Sequence, residues 1–310
     1  MKHLRIAFAG TGEFAVPVLR ALAEAGRILL VITQPDRPAG RGLFPKPPPV
    51  KTVAEELGLP VLQPPSINAP EPLSRLHSLK LDLLVVAAFG QLLKRQVLEI
   101  PRLGCINVHA SLLPNYRGAA PVAWAILNGE RKTGVTIFLL DEDMDTGPIL
   151  LQEEVEIGPD ETRGELEGRL AELGGRLLVE AIEGYARGRI RPRPQPKEGS
   201  LAPRLRKEDG EIDWSWPAER VHNWVRGMNP WPSAFTRFRG RLLKIHRTKV
   251  LEGDPGGPPG TITIKEKRLY VICGTGAVEL LELQPEGKRR MSGLDFLNGY
   301  RPRPSERLGQ

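Results

Sequence analysis

Residues 4–12 read Leu4-Arg5-Ile6-Ala7-Phe8-Ala9-Gly10-Thr11-Gly12, an apolar run of strand length that ends in a glycine turn. A helical pattern follows at 14–25. Further apolar runs recur along the first half of the chain, at 28–32, 81–88, 105–109 and 135–140. Nearly continuous apolar strands that alternate with helices are typical of a mostly parallel sheet covered on both faces. We therefore predict an α/β domain of Rossmann-like architecture over residues 1–189.

The second half of the chain has a different pattern. Residues 161–187 predict one long helix, with Thr162 and Glu165 as a capping box at its start. Residues 190–207 are basic, rich in proline and without apolar periodicity, so we expect an extended linker. Residues 208–310 contain a helical stretch at 217–226 and five short strand-like runs, at 234–238, 242–246, 260–264, 269–272 and 278–283. Such spacing favours a small C-terminal β-barrel of the OB type.

Composition excludes several classes of protein. The chain has 310 residues, enough for two domains with cores of their own, and 40% of them are hydrophobic. No apolar run reaches the ~18 residues that a membrane span needs, and the first residues do not resemble a signal peptide. Two cysteines are too few for a disulfide framework or a thiolate metal site. We expect a cytoplasmic protein.

The charge is divided unevenly along the chain. Residues 1–189 hold 21 Lys and Arg against 23 Asp and Glu, whereas residues 190–310 hold 23 against 14. The excess of positive over negative charge that gives the protein its net charge of +7 therefore lies entirely in the C-terminal third. Such asymmetry indicates a polyanionic partner, with nucleic acid the first candidate, although a basic surface that only keeps the protein soluble has the same composition.

A first candidate motif is Gly10-x-Gly12-x-x-Ala15, between a strand and a helix, with Asp36 after the second strand. It matches a relaxed dinucleotide-binding fingerprint and so suggests an NAD-dependent dehydrogenase. A tight strand-to-helix turn needs glycine for steric reasons as well. Asp36 also belongs to the turn sequence of residues 34–38, which weakens its interpretation as a ribose ligand.

A second candidate is the pair Asn107 and His109, at the end of a predicted strand. Residues two apart on a strand point to the same face, and ligands of open α/β sheets bind beyond the strand ends. An amide donor and an imidazole together can stabilise an oxyanion and move a proton. The same two residues can also serve as a turn-stabilising amide and a buried, hydrogen-bonded histidine.

A third candidate is the acidic loop 141–147, Asp141-Glu142-Asp143-Met144-Asp145-Thr146-Gly147. Its carboxylates can bind a divalent cation, face solvent as an ordinary turn, or orient a histidine. No second acidic cluster completes a metal site, so we favour a carboxylate beside His109.

Together these runs resemble the signature of the folate-dependent formyltransferases. The matching residues, in order and spacing, are Asn107-x-His109-x-Ser111-Leu112-Leu113-Pro114, Arg117-Gly118-Ala119-Ala120-Pro121, Thr133-Gly134-Val135-Thr136 and Asp145-Thr146-Gly147. Four linked motifs within about 40 residues are far more specific than a glycine turn.

Within that family the resemblance extends over the whole chain to the enzymes that formylate initiator methionyl-tRNA. It is carried by Phe8-Ala9-Gly10-Thr11, by the loop Gln34 to Gly42, and by Ile212-Asp213-Trp214, Asn229-Pro230-Trp231-Pro232 and Gln284-Pro285-x-Gly287-Lys288. The chain departs from the family pattern at Gly12, Ala110 and Leu43-Phe44. The last departure lies in the 34–50 loop, which the resemblance places in contact with tRNA. The loop stays basic through Arg37, Arg41, Lys46 and Lys51.

The resemblance implies roles for particular residues. Asn107, His109 and Asp145 would be catalytic, Ser111, Leu112, Leu113 and Pro114 would line the site of 10-formyltetrahydrofolate, and no metal would be needed. The partner would be initiator methionyl-tRNA, bound by a monomer through the C-terminal domain and by basic side chains of the loop and linker: Arg37, Arg41, Lys46, Arg191, Arg193, Arg204, Arg206 and Lys207.

Three alternatives remain open on the sequence. A sugar-nucleotide formyltransferase shares the catalytic motif and a similar small C-terminal domain. An NAD-dependent dehydrogenase rests on the glycine turn and Asp36. An RNA-binding protein without activity is disfavoured because Asn107, His109 and Asp145 are all present.

Overall fold

The structure is a computed structural model that describes residues 1–39 and 44–309. The elements up to the long helix are β1 (Arg5–Gly10), α1 (Ala15–Ala25), β2 (Arg27–Ile32), β3 (Arg37–Ala39), β4 (Phe44–Lys46), α2 (Pro49–Glu56), β5 (Val61–Leu62), α3 (Pro70–Ser78), β6 (Leu83–Ala87), α4 (Arg95–Leu98), β7 (Cys105–His109), β8 (Arg117–Gly118), α5 (Pro121–Leu127), β9 (Lys132–Leu139), β10 (Ile149–Glu156) and α6 (Arg163–Ala186). They are followed by β11 (Leu201–Ala202), a short 3-10 helix (Glu208–Gly210), α7 (Ala218–Gly227), β12 (Ala234–Phe238), β13 (Arg241–Val250), β14 (Ile262–Lys265), β15 (Arg268–Ile272), β16 (Ala277–Pro285), β17 (Met291–Ser292) and α8 (Gly293–Tyr300).

The chain divides into two compact units. The first comprises Met1–Pro121, Thr133–Val155 and Glu167–Ala202, and the second Val122–Lys132, Glu156–Leu166 and Pro203–Gln310. Over the described residues, no helix is both long enough and apolar enough to cross a membrane.

A seven-stranded sheet organises the first unit, counted over its described residues, in the order β10-β9-β7-β6-β1-β2-β5. The strands from β7 to β5 are parallel to one another, and β9 runs antiparallel to β7. All five residues of β6 are buried, as expected for a central strand covered on both faces. The prediction of a mostly parallel α/β sheet is therefore confirmed.

Helix α6 packs closely against this sheet because it carries two consecutive glycines. A Cβ atom at Gly174 would lie 2.8 Å from Cγ1 of Val108, and one at Gly175 would lie 2.9 Å from Cβ of Ala21 in α1. Glycine inside a helix costs about 1 kcal/mol relative to alanine. Here it permits the close approach that packs α6 against β7, the strand that carries Asn107 and His109.

The second unit is built on an antiparallel sheet. Its described strands pair in the order β12-β13-β16-β15-β14, with β17 added to β16. Phe296 of α8 packs against Phe238 at 5.3 Å between ring centroids, and buried Trp214 donates to Thr236 Oγ1 at 3.0 Å. The strand pairing is linear and, over the described residues, does not join β12 to β14. An antiparallel β domain is thus found where the barrel was predicted, whereas its closure into an OB-like barrel is not confirmed.

The capping box predicted at the start of the long helix is present. The Thr162 N–H donates to Glu165 Oε2 at 2.8 Å, and the Glu165 N–H donates to Thr162 Oγ1 at 3.4 Å. This reciprocal pair satisfies two backbone donors that the first turn leaves free.

Candidate active site

Strand β7 ends in the two polar residues that the spacing singled out. β7 lies between β6 and β9, so the Asn107 and His109 side chains share one face of an interior strand. His109 is buried and Asn107 is half-buried. The Asn107 side-chain amide makes no hydrogen bond to any residue that the structure describes. A half-buried amide without a protein partner is available to a ligand.

The two ring nitrogens of His109 have different surroundings. Nε2 lies 2.9 Å from the Tyr116 carbonyl oxygen, which can only accept, so Nε2 carries a hydrogen and donates it. Nδ1 lies 3.7 Å from Asp145 Oδ2, within ion-pair range but beyond a hydrogen bond. Within the described part of the chain Nδ1 makes no hydrogen bond, so it is the ring nitrogen available to a ligand.

Asp145 follows β9 in the acidic loop and reaches back towards His109. Its Oδ2 accepts a hydrogen bond from the Gly118 N–H at 2.8 Å, which fixes the carboxylate next to the imidazole. Asp141 in the same loop is occupied by Thr146, whose hydroxyl lies 2.8 Å from Oδ1. Across the described ranges, no group of three or more His, Cys, Asp or Glu side chains is arranged to hold a metal. The structure thus brings Asp145 together with His109, as the sequence predicted.

Residues 111–114 form a tightly held turn after β7. Thr136 Oγ1 donates to the Ser111 carbonyl at 2.6 Å and accepts from the Leu113 N–H at 3.1 Å. The Ser111 hydroxyl donates to the Asn115 carbonyl, and the side chains of Ser111 and Leu113 are buried. Leu112 and Pro114 are half-buried and offer apolar surface. Of the four residues predicted to line the folate site, Ser111 and Leu113 are buried, and Leu112 and Pro114 have partly exposed side chains.

Asp36 has a structural role that the fingerprint interpretation did not foresee. Its carboxylate accepts from Gln63 Nε2 at 2.7 Å and pairs with Lys51 Nζ at 2.9 Å, and these partners hold its pKa below the usual value. A Cβ atom at Gly10 would lie 2.6 Å from the Phe8 ring, so this glycine is required by packing. The dehydrogenase interpretation of Gly10 and Asp36 therefore loses its support. Lys51 is likewise engaged within the protein and is not a free loop charge.

The predicted tRNA-binding cations are exposed wherever the structure describes them. Arg37 and Lys46 stand opposite each other in the β3–β4 pair. Arg41 lies outside the described residues. The remaining side chains are exposed and, among the described residues, have no acidic partner within 4.0 Å: Arg191, Arg193, Arg204, Arg206 and Lys207.

Neither cysteine is a candidate nucleophile. Cys105 and Cys273 are buried, and burial raises the pKa of each thiol to about 12. Both therefore remain protonated and unreactive near neutral pH.

Two residues that contact the candidate site are given no role by the sequence. Gln195, within the predicted linker, donates to the carbonyls of Asp145 and Gly147, and Arg117 donates to Gln195 Oε1 at 3.0 Å. Arg117 at least belongs to a recognised motif. Gln195 gives no local signal, because its partners lie about 50 positions earlier in the chain.

Comparison with known proteins assigns both halves of the chain to one family. The formyl transferase family matches residues 4–182, and the formyl transferase C-terminal domain matches residues 204–301. The chain is 48% identical over 312 residues to a methionyl-tRNA formyltransferase of Citrifermentans bemidjiense, covering 100% of this chain and 98% of the relative. A methionyl-tRNA formyltransferase of Solibacter usitatus is 46% identical over 309 residues, with 99% of each chain covered.

Among solved structures, an N-formyltransferase of Helicobacter canadensis, crystallised with folinic acid and dTDP-3-aminofucose, has the same fold. The TM-score is 0.69 with 18% sequence identity, over 91% of this chain and 99% of that one. At this identity the likeness shows the fold alone. The sequence matches, in contrast, extend over nearly the whole chain and so span the positions of the site just described. The chain therefore belongs to the formyl transferase family.

Proposed function

We propose that this chain transfers the formyl group of 10-formyltetrahydrofolate to the α-amino group of methionine on initiator methionyl-tRNA, in the cytoplasm and as a monomer. The full-length similarity to methionyl-tRNA formyltransferases of several bacteria supports this substrate. The observation that carries the proposal is the Asn107 amide, which has no hydrogen-bond partner among the described residues, on the same strand face as His109 of the His109–Asp145 pair.

The residues present fit a folate that carries a formyl group. When bound, 10-formyltetrahydrofolate supplies the one-carbon group at the oxidation level of a formamide. The Asn107 amide, which donates to none of the residues that the structure describes, can donate a hydrogen bond to a formyl oxygen. Leu112 and Pro114 offer half-buried apolar surface of the kind that lines ligand sites.

Attack by the methionine amine places negative charge on the formyl oxygen, and the chain supplies donors for it. Asn107 donates from its amide, and protonated His109 donates from Nδ1, because Nε2 is already bound to Tyr116. One such donor is worth about 3 kcal/mol in comparable sites. Asp145, fixed by Gly118, stabilises the imidazolium charge and holds the ring in orientation. His109 would give its Nδ1 proton to the folate nitrogen that leaves as its bond to the formyl carbon breaks, and would regain a proton from the attacking amine, so that the protein carries no net change.

The charged surface supports a polyanionic substrate. Arg37 and Lys46 are directly opposite on neighbouring strands, an arrangement that repels unless an anion lies nearby. Arg204, Arg206 and Lys207 add three exposed cations without acidic partners among the described residues. Phosphate contacts of this kind give affinity without sequence information. Selection of the initiator tRNA through Arg41 stays a prediction, tested by comparing formylation of initiator tRNA by Arg41→Ala and wild type.

The proposal is tested by offering the wild-type protein labelled 10-formyltetrahydrofolate with three acceptors in parallel: initiator methionyl-tRNA, elongator methionyl-tRNA and a dTDP-amino sugar. We expect rapid label transfer to the initiator tRNA and little to the other two. Transfer only to the sugar nucleotide would replace the proposed substrate by the sugar-nucleotide alternative. Binding of tRNA without transfer would indicate a binding protein.

A further inference from the structure

Asp145 adopts a backbone conformation that its surroundings must maintain. Its φ is +57°, in the left-handed region that few residues other than glycine occupy. Residues in such conformations persist where neighbouring contacts determine them, and they concentrate at functional sites.

Gln195 binds the backbone of this residue and of the loop just after it. Its Nε2 donates one hydrogen bond to the Asp145 carbonyl at 3.0 Å and another to the Gly147 carbonyl at 2.7 Å. Both hydrogens of the amide are thus used within the loop that carries Asp145. Its Oε1 accepts from Arg117 Nη2 at 3.0 Å, which fixes the direction in which the amide faces.

Arg117 connects Gln195 to the residues that hold the catalytic pair. Besides Gln195, the Arg117 guanidinium donates to the carbonyls of Pro196 and Lys197, at 2.9 and 3.3 Å. Its two neighbours bind the pair directly: the Tyr116 carbonyl accepts from His109, and the Gly118 N–H donates to Asp145. Gln195, Arg117, Gly118 and Asp145 therefore form a closed ring of contacts beside His109.

The main chain after Gln195 is tied to the same segment. Strand β11 pairs in parallel with β8, with Leu201 opposite Arg117 and Ala202 opposite Gly118. The Ser200 carbonyl accepts from the Arg117 N–H at 2.9 Å, and a Cβ atom at Gly199 would lie 2.2 Å from the Pro114 carbonyl oxygen. Residues 195–202, inside the predicted linker, are thus part of the first unit's active-site framework.

We propose that Gln195 is a positioning residue that keeps Asp145 opposite His109, so that the segment after α6 contributes to formyl transfer through the geometry of the catalytic pair. The inference rests on the proposed function for its kinetic test. Under this proposal formyl transfer requires Gln195, a neutral side chain outside the family motifs identified in the sequence. Gln195 acts through Asp145 and not on the substrate.

The test uses Gln195→Leu, which removes both donors, and Gln195→Glu, which keeps the shape but turns oxygen atoms towards the two carbonyls. Glu198→Gln, an exposed change in the same segment, is the matched control. We expect kcat to fall 10- to 100-fold in both Gln195 variants, with KM for tRNA and folate nearly unchanged, because small displacements at a reacting centre cost this much. The control should retain wild-type kcat.

A double-mutant cycle identifies the route of the effect. In an Asp145→Asn background, Gln195→Leu should cause little further loss, because the residue through which it acts has already been changed. Multiplicative losses, a wild-type kcat in Gln195→Leu, or a change confined to the KM for tRNA would each overturn the proposal. If Gln195→Leu melts well below wild type, the cycle is carried out with Gln195→Glu.

A readout independent of turnover separates this inference from the proposed function. The ring nitrogens of His109 can be followed by NMR in labelled protein without substrate. Gln195→Leu should shift these signals in the same direction as Asp145→Asn does, and unchanged signals would contradict a positioning role. A wild-type protein that transfers no formyl group would contradict the proposed function and leave this spectroscopic test intact.

Discussion

At the scale of single residues, the sequence placed Asn107 and His109 on one face of a strand end but did not predict the contacts that hold His109 and Asp145. Asn107 and His109 followed from a two-residue spacing at a strand end, which is local information. The sequence predicted that a carboxylate of the acidic loop 141–147 lies beside His109. The structure shows that this carboxylate is Asp145, which the Gly118 N–H holds in place. Asp36 was ambiguous for the converse reason, because its real partners, Lys51 and Gln63, lie 15 and 27 positions away.

The unpartnered Asn107 amide leads to a sharp expectation. Asn107→Ala should lower kcat about 10²- to 10³-fold, as loss of one oxyanion donor does elsewhere. The melting temperature should change little, because this amide makes no hydrogen bond to the described part of the protein. Steady-state formylation and thermal unfolding measure the two effects.

Asn298→Ala, at an exposed position of α8, is the matched control and should behave as wild type. A large loss of stability without loss of kcat in Asn107→Ala would assign Asn107 a structural role.

At the scale of elements, strongly patterned segments were predicted well and short or mixed ones were not. The predicted boundaries of β7 and β12 agree with those in the structure. The predicted ends of α6 lie within two residues of the observed ends. The β3–β4 pair was missed because its strands are three residues long and contain prolines. Strand β10 was missed because its apolar start is followed by polar residues. The pairing of β11 with β8 joins residues that are far apart in sequence, so no local sequence pattern predicts it.

The capping box of α6 makes stability depend on pH. Hydrogen bonds from Thr162, together with Arg247, lower the pKa of Glu165 to about 2 from an ordinary 4.5. A depressed carboxyl pKa contributes stability that is complete above 4.5 and is lost as pH falls towards 2. Glu165→Gln should therefore melt a few degrees below wild type at pH 6, consistent with a cap worth about 1 kcal/mol, and the difference should narrow by pH 2.5.

Thermal unfolding at the two pH values measures this difference. Glu172→Gln, an exposed change on the same helix, should show no such convergence with wild type. A constant gap between Glu165→Gln and wild type at both pH values would show that the charge of Glu165 does not strengthen the cap.

At the scale of the whole molecule, charge composition and fold class were both readable from the sequence. The C-terminal third carries the excess positive charge, and the cations predicted there to bind tRNA are exposed. The antiparallel sheet of the second unit was expected, but strand patterns alone do not determine whether a sheet closes into a barrel. Closure depends on the register of pairs between distant strands.

The exposed cations predict a salt-dependent affinity for tRNA. Changing Arg204, Arg206 and Lys207 together to alanine should weaken tRNA binding and flatten the plot of log affinity against log salt concentration. The slope should fall by about 0.9 for each duplex phosphate that the variant no longer neutralises, because each neutralised phosphate releases counterions. Titrations at several salt concentrations measure this, and kcat at saturating tRNA should be unaffected.

A control that removes the same charge elsewhere, Lys2, Arg27 and Arg75 changed to alanine, should leave the slope near wild type. Equal flattening of the plot in both triple variants would show that the effect depends on net charge alone. It would contradict a tRNA-binding surface at Arg204, Arg206 and Lys207.

We assign catalysis of formyl transfer to methionyl-tRNA to His109, which is set between Tyr116 and Asp145. The most direct measurement is single-turnover transfer of labelled formyl from 10-formyltetrahydrofolate to initiator methionyl-tRNA by wild type and by His109→Ala. We predict rapid transfer by wild type and a loss of at least about 10²-fold in the variant, as for removal of a charge-stabilising donor. Equal rates in the two proteins would contradict the assignment of this site.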